Sequence, residues 1–237
     1  MRTKALLSVA AIAASAITAM AQSSVYSLNI VGYATVTVPA GYSILANPLS
    51  AGATNGANEI GLTLTGEQIL TWNTASSTFN YVSYDPTLGI GTGWVDANLN
   101  PSSPPSLPPG VGFFFFNPGA TATNVTFVGQ VVPGPSSTNN LTVAAGYSMI
   151  GSPLPANVTN ISSAPVSLPL LNGMLVLTWD NVNSKYVYAQ YDATLGIGNG
   201  WVDANLNAIS APGYSIGQGF FYFNPQSGNA TWSQSLP

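Results

Sequence analysis

The sequence predicts an all-β protein made of two tandem antiparallel β-sandwich or small-barrel units that are related by internal duplication. Residues 84–100 read YDPTLGIGTGWVDANLN and residues 191–207 read YDATLGIGNGWVDANLN, so only two of 17 positions differ. The same offset of 107 relates ILTWN at 69–73 to VLTWD at 176–180, and GFFFFNP at 112–118 to GFFYFNP at 219–225. The segment AGYS recurs at an offset of 105. Short alternating runs between turn signals, without an amphipathic helix pattern, favour strands throughout.

The first unit contains a regular succession of strand and turn signals. Residues 33–38 (YATVTV) alternate apolar and polar side chains with period two, as a half-buried strand does. Gly and Pro clusters separate the segments that follow and predict turns and loops. The predicted strands after the first one are 42–47, 68–73, 79–84, 94–100, 111–117 and 125–131.

The second unit repeats this order, with a hairpin formed by 175–180 and 186–191. Residues 132–140 (VPGPSSTNN) have the composition of a linker. We therefore expect a first β-unit at 22–131, a linker at 132–140 and a second β-unit at 141–237.

Residues 1–21 predict a secretory signal peptide. Arg2 and Lys4 form a basic start, residues 5–17 are mostly apolar, and Ala19-Met20-Ala21 fits a small-residue cleavage site before Gln22. No later run approaches the ~20 apolar residues that a spanning helix needs. We expect a secreted protein, extracellular, at the cell surface or in the periplasm, with no transmembrane segment after signal cleavage.

The scarcity of basic side chains and the absence of Cys and His exclude several functions. Cleavage would leave Lys185 as the only basic side chain against seven acidic ones. Nucleic-acid binding needs clustered Lys and Arg, so we expect none. The chain has no Cys and no His, which removes thiol catalysis and the usual zinc ligands.

The low charge also bears on self-association. Charged residues make up 4% of the chain, whereas ordinary soluble domains contain ~25%. Hydrophobic residues at 46% and aromatic residues at 11% indicate a packed β-rich protein rather than a disordered one. A surface this poor in charge gives little electrostatic protection against self-association.

Residues 113–116 are four consecutive phenylalanines. In a strand, Phe113 and Phe115 face one way while Phe114 and Phe116 face the other. Such a strand must be covered on both faces. Either it lies centrally between two layers, or one face docks the sister unit or another molecule.

The strongest candidate ligand site is the repeated strand itself. If residues 94–100 are extended, Trp94 shares one face with Asp96, Asn98 and Asn100, and apolar side chains form the other face. A tryptophan beside carboxylate and amide groups can stack on a sugar ring while the polar groups bond its hydroxyls. The structural alternative is that the ring packs over the neighbouring Gly turn while the Asp and Asn side chains cap backbone amides. The second copy offers Trp201, Asp203, Asn205 and Asn207.

The same polar residues are a possible, irregular calcium site, because they supply hard oxygen ligands at alternate positions. A regular EF-hand loop would need Gly and Glu where this chain has Pro101 and Leu107. We otherwise expect no cofactor and no metal.

Two enzymatic interpretations are weaker. Residues 213–217 match the G-x-S-x-G motif of serine hydrolases, but that motif needs a histidine base. The repeated acids Asp85, Asp96, Asp192 and Asp203 would suit a two-carboxylate glycosidase only at a specific separation. We expect no catalytic residues.

The motifs A-G-Y-S-x-[IL]-x-x-P-L, [IV]-L-T-W-[ND] and G-F-F-x-F-N-P cover most of both units. They resemble largely uncharacterised secreted β-repeat modules of environmental bacteria, of the Verrucomicrobia–Planctomycetes type. Those modules read GWN-L-I-x-x-P-L, then a W/Y-D hairpin, then P-G-x-G-Y-W or G-F-F. The segment SLNIVGY at 27–33 resembles their start, and Pro109-Gly110 matches their last motif where the second copy has Ile216-Gly217. The resemblance implies an all-β extracellular domain and no catalytic residues to carry over.

Taken together, the sequence predicts a secreted, non-enzymatic structural or adhesive protein at or outside the bacterial cell surface. Its expected partners are extracellular polysaccharide, other surface proteins or further copies of itself. The alternative is a carbohydrate-binding protein with one Trp/Asp/Asn site per repeat. Exposure of Trp94 and Trp201 separates the two, because sugar stacking requires exposed rings.

Overall fold

A computed structural model describes residues 31–132, 138–163 and 167–235. The predicted signal peptide lies outside the described residues. The first unit contains seven strands: Val31–Val38 (β1), Gly41–Ala46 (β2), Gln68–Asn73 (β3), Thr78–Tyr84 (β4), Trp94–Val95 (β5), Gly112–Asn117 (β6) and Thr123–Gln130 (β7). The second unit contains seven more: Thr138–Val143 (β8), Gly146–Gly151 (β9), Met174–Asp180 (β10), Lys185–Tyr191 (β11), Trp201–Val202 (β12), Gly219–Asn224 (β13) and Ala230–Ser235 (β14). The helical segments within the described residues are two short 3₁₀ turns, Pro86–Leu88 and Ala193–Leu195.

Each unit is a β-sandwich of one two-stranded and one five-stranded antiparallel sheet. The first unit pairs β1 with β7 and orders the larger sheet β2-β6-β3-β4-β5. The second pairs β8 with β14 and orders its larger sheet β9-β13-β10-β11-β12. The register is also repeated, since Trp72 faces Phe79 in one hairpin and Trp179 faces Tyr186 in the other. The predicted all-β class and the two similar sandwich units are confirmed.

Alternation along β1 shows how the sequence produces the sandwich. Ala34 and Val38 are buried, whereas Tyr33 and its polar neighbours face outward. These inward residues pack with Val125 and Phe127 of β7 onto the larger sheet. Apolar side chains from both sheets therefore form one core per unit.

Two predicted boundaries differ from the structure by more than two residues. The strand predicted at 94–100 ends after Val95, because residues 96–100 form a turn in which Leu99 has a φ of +62°. Strand β8 begins at Thr138, inside the segment predicted as linker. Its alternating burial explains why TNN belongs to a strand: Asn139 is half-buried and Val143 is fully buried.

The four phenylalanines of β6 are covered on both faces. Phe113 and Phe115 lie in the core of the first sandwich. Phe114 lies in a separate apolar cluster shared by the two units. Both predicted interpretations of this strand therefore hold, because β6 lies inside its sheet and one of its faces docks the sister unit.

The contact between the two five-stranded sheets, which we call the seam, has approximate twofold symmetry. Its buried centre is Ile44 and Phe114 from the first unit with Met149 and Phe221 from the second. Four half-buried side chains pack around this centre: Leu70, Trp72, Leu177 and Trp179.

Reciprocal hydrogen bonds also cross the seam. Trp72 Nε1 donates to the carbonyl of Tyr147 at 2.8 Å, and Trp179 Nε1 donates to the carbonyl of Tyr42 at 2.8 Å. The self-complementary pattern is that of an isologous dimer interface, here within one chain.

Glycine permits the close approach of the two backbones. A Cβ atom on Gly112 would lie 2.8 Å from the amide nitrogen of Ile150, and one on Gly219 would lie 2.5 Å from the carbonyl oxygen of Leu45. Backbone bonds seal the contact, from Ala46 N to Gly217 O at 2.9 Å and from Gly151 N to Gly110 O at 3.0 Å.

We expect Phe114→Ala and Phe221→Ala each to reduce the free energy of unfolding by about 3–5 kcal/mol, as deletion of a packed aromatic ring does. Because the lost ring joins the two units, calorimetry should resolve two transitions in place of one. Phe115→Ala, which acts inside one sandwich, is the control and should destabilise the first unit. A single unchanged transition in the Phe114 and Phe221 variants would contradict the structural role of the seam.

Candidate functional site

The repeated segment begins with a capped 3₁₀ turn in each unit. Asp85 accepts hydrogen bonds from Thr87 N at 2.9 Å and Thr87 Oγ1 at 2.5 Å. Asp192 makes the same two contacts with Thr194 at the same distances. These carboxylates satisfy backbone and hydroxyl donors at the start of the turn.

The two predicted stacking rings are buried. Trp94 and Trp201 are 0% and 1% exposed. The indole nitrogen of Trp94 donates to Asn58 Oδ1 at 2.6 Å, and that of Trp201 donates to Ser162 Oγ at 3.0 Å. Each ring therefore has its apolar surface packed and its one donor satisfied, as buried tryptophans require.

The polar residues that follow each ring cap a tight turn. Asp96 accepts from the backbone N–H groups of Asn98 and Asn100 at 2.8 and 2.9 Å, and from Asn100 Nδ2 at 3.1 Å. Asp203 makes the same bonds with Asn205 and Asn207 at 2.8, 2.9 and 3.0 Å. The Asn100 side chain, followed by its backbone, lowers the pKa of Asp96, and Asn207 does so for Asp203.

The predicted arrangement of one polar face carrying the ring is therefore wrong. Residues 96–100 are not extended, so Trp94 points into the core while Asp96, Asn98 and Asn100 lie on a surface turn. The second copy separates Trp201 from Asp203, Asn205 and Asn207 in the same way. The burial of both rings favours the structural interpretation, in which each tryptophan packs inward and the polar side chains cap a turn.

The repeated carboxylates are distributed among separate caps rather than gathered. Within the described residues, no group of three or more Asp, Glu, His or Cys side chains is placed to hold a metal ion. Asp85 and Asp96 each bond donors of their own turn. This arrangement stabilises the individual turns.

The structure instead brings exposed aromatic rings together on one side of the seam. We call this feature the seam pocket; it has a volume of about 240 Å³. Both units contribute to its wall, which consists of Trp72, Phe79, Tyr147, Leu177, Tyr186 and Phe221.

Phe221 forms the floor of the seam pocket and is 5% exposed. Its ring centroid lies 5.3 Å from Trp72, 5.8 Å from Tyr186, 6.2 Å from Phe79 and 6.4 Å from Tyr147, all in edge-on geometry. The rim rings of Phe79, Tyr147 and Tyr186 are 39–40% exposed. Rigid rings fixed by edge-to-face contacts present an apolar surface of defined shape.

The opposite half of the seam carries equivalent rings but is bridged. Asn181 Nδ2 donates to the carbonyl of Tyr42 and to Ser43 Oγ, the latter at 2.7 Å. The equivalent position in the first unit is Thr74, a shorter side chain. The two halves of the symmetric seam therefore differ.

Sequence patterns did not reveal the seam pocket, because the wall residues that the two units contribute lie 68 to 149 positions apart in the chain. The sequence feature that could have indicated this surface is the pair of facing aromatic residues in each predicted hairpin. Trp72 and Phe79, like Trp179 and Tyr186, stand opposite each other in predicted hairpins and had to point to some surface.

We expect Trp94→Ala and Trp201→Ala each to cost about 3–5 kcal/mol of stability, because each leaves a large core cavity. Thermal and denaturant melts measure the loss. Tyr33→Ala removes a ring that is 74% exposed and should change the melting temperature little. Near-wild-type melts for both tryptophan variants would contradict the core role of these rings.

No protein-family model matches the chain, and neither a curated protein nor a solved structure is significantly similar to it. None of the helices in the described parts of the chain has the length and apolar character needed to span a membrane.

Proposed function

We propose that the protein is a secreted, non-enzymatic structural or adhesive protein at or outside the bacterial cell surface. The observation that carries the proposal is the seam pocket, an aromatic surface assembled jointly by two units. A joint surface gives the duplication a purpose, since neither unit alone supplies all its walls.

The chemistry of this surface suits contact without charge. The pocket wall contains aromatic rings and one leucine, and the chain as a whole has 4% charged residues. Apolar contact and hydrogen bonds to hydroxyl and amide groups would then supply the binding free energy. Neutral extracellular polysaccharide, other surface proteins and further copies of the chain are partners of this chemistry.

The repeated segments support a structural role. Their carboxylates cap turns and their tryptophans fill cores, as the hydrogen bonds of Asp85, Asp96 and Trp94 illustrate. An enzyme would need an acid or base free to meet substrate. The near identity of the two copies is then accounted for by demanding turn geometry.

Carbohydrate binding is the second candidate, and the exposed rim rings favour it. Phe79, Tyr147 and Tyr186 can stack on the C–H faces of a sugar, and the two tyrosines add hydroxyl groups. This version places one site per molecule at the seam, in place of one Trp/Asp/Asn site per repeat.

A binding comparison tests the proposal. We expect the mature protein to adhere to insoluble extracellular polysaccharide or to cell-surface preparations. The double variant Phe79→Ala with Tyr186→Ala should lose at least about tenfold in affinity, as truncation of central aromatic residues in an interface does. Tyr33→Ala, an exposed ring outside the pocket, should bind normally. Circular dichroism confirms that each variant is folded.

The partners give different outcomes in that comparison. A glycan array identifies carbohydrate binding, and sedimentation velocity identifies self-association. Equal binding by the double variant and Tyr33→Ala would refute the seam pocket as the contact surface.

We also expect no hydrolysis of esters, peptides or common polysaccharides by the mature protein. Without His or Cys, acid–base catalysis would rest on carboxylates or tyrosines, and the repeated carboxylates are engaged in turns. Product analysis over long incubations measures turnover. Activity that Asp96→Asn or Asp203→Asn abolishes would overturn this expectation.

A further inference from the structure

Glu67 is a carboxyl group with an incomplete set of partners inside the first sandwich. It immediately precedes β3 and is 0% exposed. Its Oε2 accepts a hydrogen bond from the amide of Leu64 at 2.8 Å. Its Oε1 is also buried and has no hydrogen-bond partner among the described residues. A buried oxygen in this condition favours protonation or exposure to water.

The second unit shows that the turn itself does not need a carboxyl group. Met174 occupies the equivalent position, and its sulfur accepts from the amide of Leu171 at 3.4 Å. The backbone is the same in both copies, since Glu67 N donates to Leu64 O and Met174 N donates to Leu171 O, each at 2.9 Å. Gly66 and Gly173 precede them with the same φ of +85°. The first unit therefore has an ionisable side chain, Glu67, at a position where the second unit forms the same turn with an uncharged one, Met174.

Glu67 lines a cavity of about 230 Å³ at one end of the first sandwich. Residues 61–64 cover one side, and the rest of the wall comes from β6 and β7, through Phe115, Thr123, Asn124 and Val125. None of these wall residues other than Glu67 is titratable or charged. On the neighbouring strand β4, the titratable residue Tyr84 donates its backbone amide to the Glu67 carbonyl at 3.0 Å. Within the cover, Gly61, Thr63 and Leu64 are exposed to solvent, whereas Leu62 is 1% exposed and packs in the core of the first sandwich. Opening of this segment would therefore expose Leu62 as well as hydrate the carboxyl group.

Protonation should govern this segment near neutral pH. Burial raises the pKa of Glu67 to about 7, and the hydrogen bond from Leu64 opposes the rise. Because the closed-state pKa lies above the ordinary value of 4.5, closure is fully stabilised below about pH 4.5 and loses that stabilisation as pH rises through about 7.

We propose that residues 61–66 form a pH-sensitive cover, closed over the cavity while Glu67 is protonated and opened by its ionisation. The hydrogen bond between Leu64 and Glu67 links the cover to the titrating group. Opening hydrates the carboxylate and exposes the end of the first sandwich, while the second unit, with Met174, stays closed. The duplication has thus produced one responsive copy and one unresponsive copy.

Hydrogen–deuterium exchange on the full chain at pH 5 and pH 8.5 tests the proposal, after correction for intrinsic exchange rates. The equilibrium constant for opening of residues 61–67 should rise on the order of a hundredfold between these pH values, because the raised pKa of the Glu67 carboxyl group sets the scale of the change. Residues 167–174 of the same molecule are the internal control and should change less than about twofold.

Three variants make the comparison decisive. Glu67→Met, which copies the second unit, and Glu67→Gln, which keeps the shape, should both abolish the response of residues 61–67. The reciprocal change Met174→Glu should install a response at 167–174. The proposal fails if Glu67→Met keeps the wild-type response, if the wild type shows none, or if both units respond equally.

Discussion

The edge-on packing of Phe114 against Trp179 and of Phe221 against Trp72 holds the molecule together. Both ring pairs have centroid separations of 5.3 Å and interplanar angles near 90°. Without this contact each five-stranded sheet would expose an apolar outer face, because its inner face already packs on the two-stranded sheet. The unpaired sandwich would be a half-covered structure, so the two units depend on each other.

Repeated turn geometry accompanies the most similar parts of the duplicated sequence. Segments that make caps or seam contacts have narrow geometric requirements, such as the φ of +62° at both Leu99 and Leu206. Positions free of those requirements differ between copies, as Glu67 and Met174 do within one turn geometry. One backbone geometry therefore accommodates both the identical positions and a pair as different as Glu67 and Met174.

Local patterns predicted the strands and even the two-sided covering of β6, because alternation and aromatic content depend on near neighbours in the chain. They failed at residues 96–100, where the Asp96 carboxylate bends the chain into a turn that looks like a strand by alternation alone. They also missed the seam pocket, whose walls meet only after two units dock. The orphaned oxygen of Glu67 was invisible for the same reason, since burial is decided by distant residues.

The backbone bonds that cross the seam have a consequence for colloidal behaviour. Strands β2 and β9 each end a five-stranded sheet, and the bonds from Ala46 to Gly217 and from Gly151 to Gly110 occupy part of those edges. The opposite edges, β5 and β12, are two residues long and receive bonds from Ser102 and Ile209. An exposed long edge is a template for amyloid-like strand addition. A chain with so few charges has little electrostatic repulsion to keep other chains away from these edges. The larger sheets instead offer an incoming strand few unpaired backbone groups with which to form hydrogen bonds.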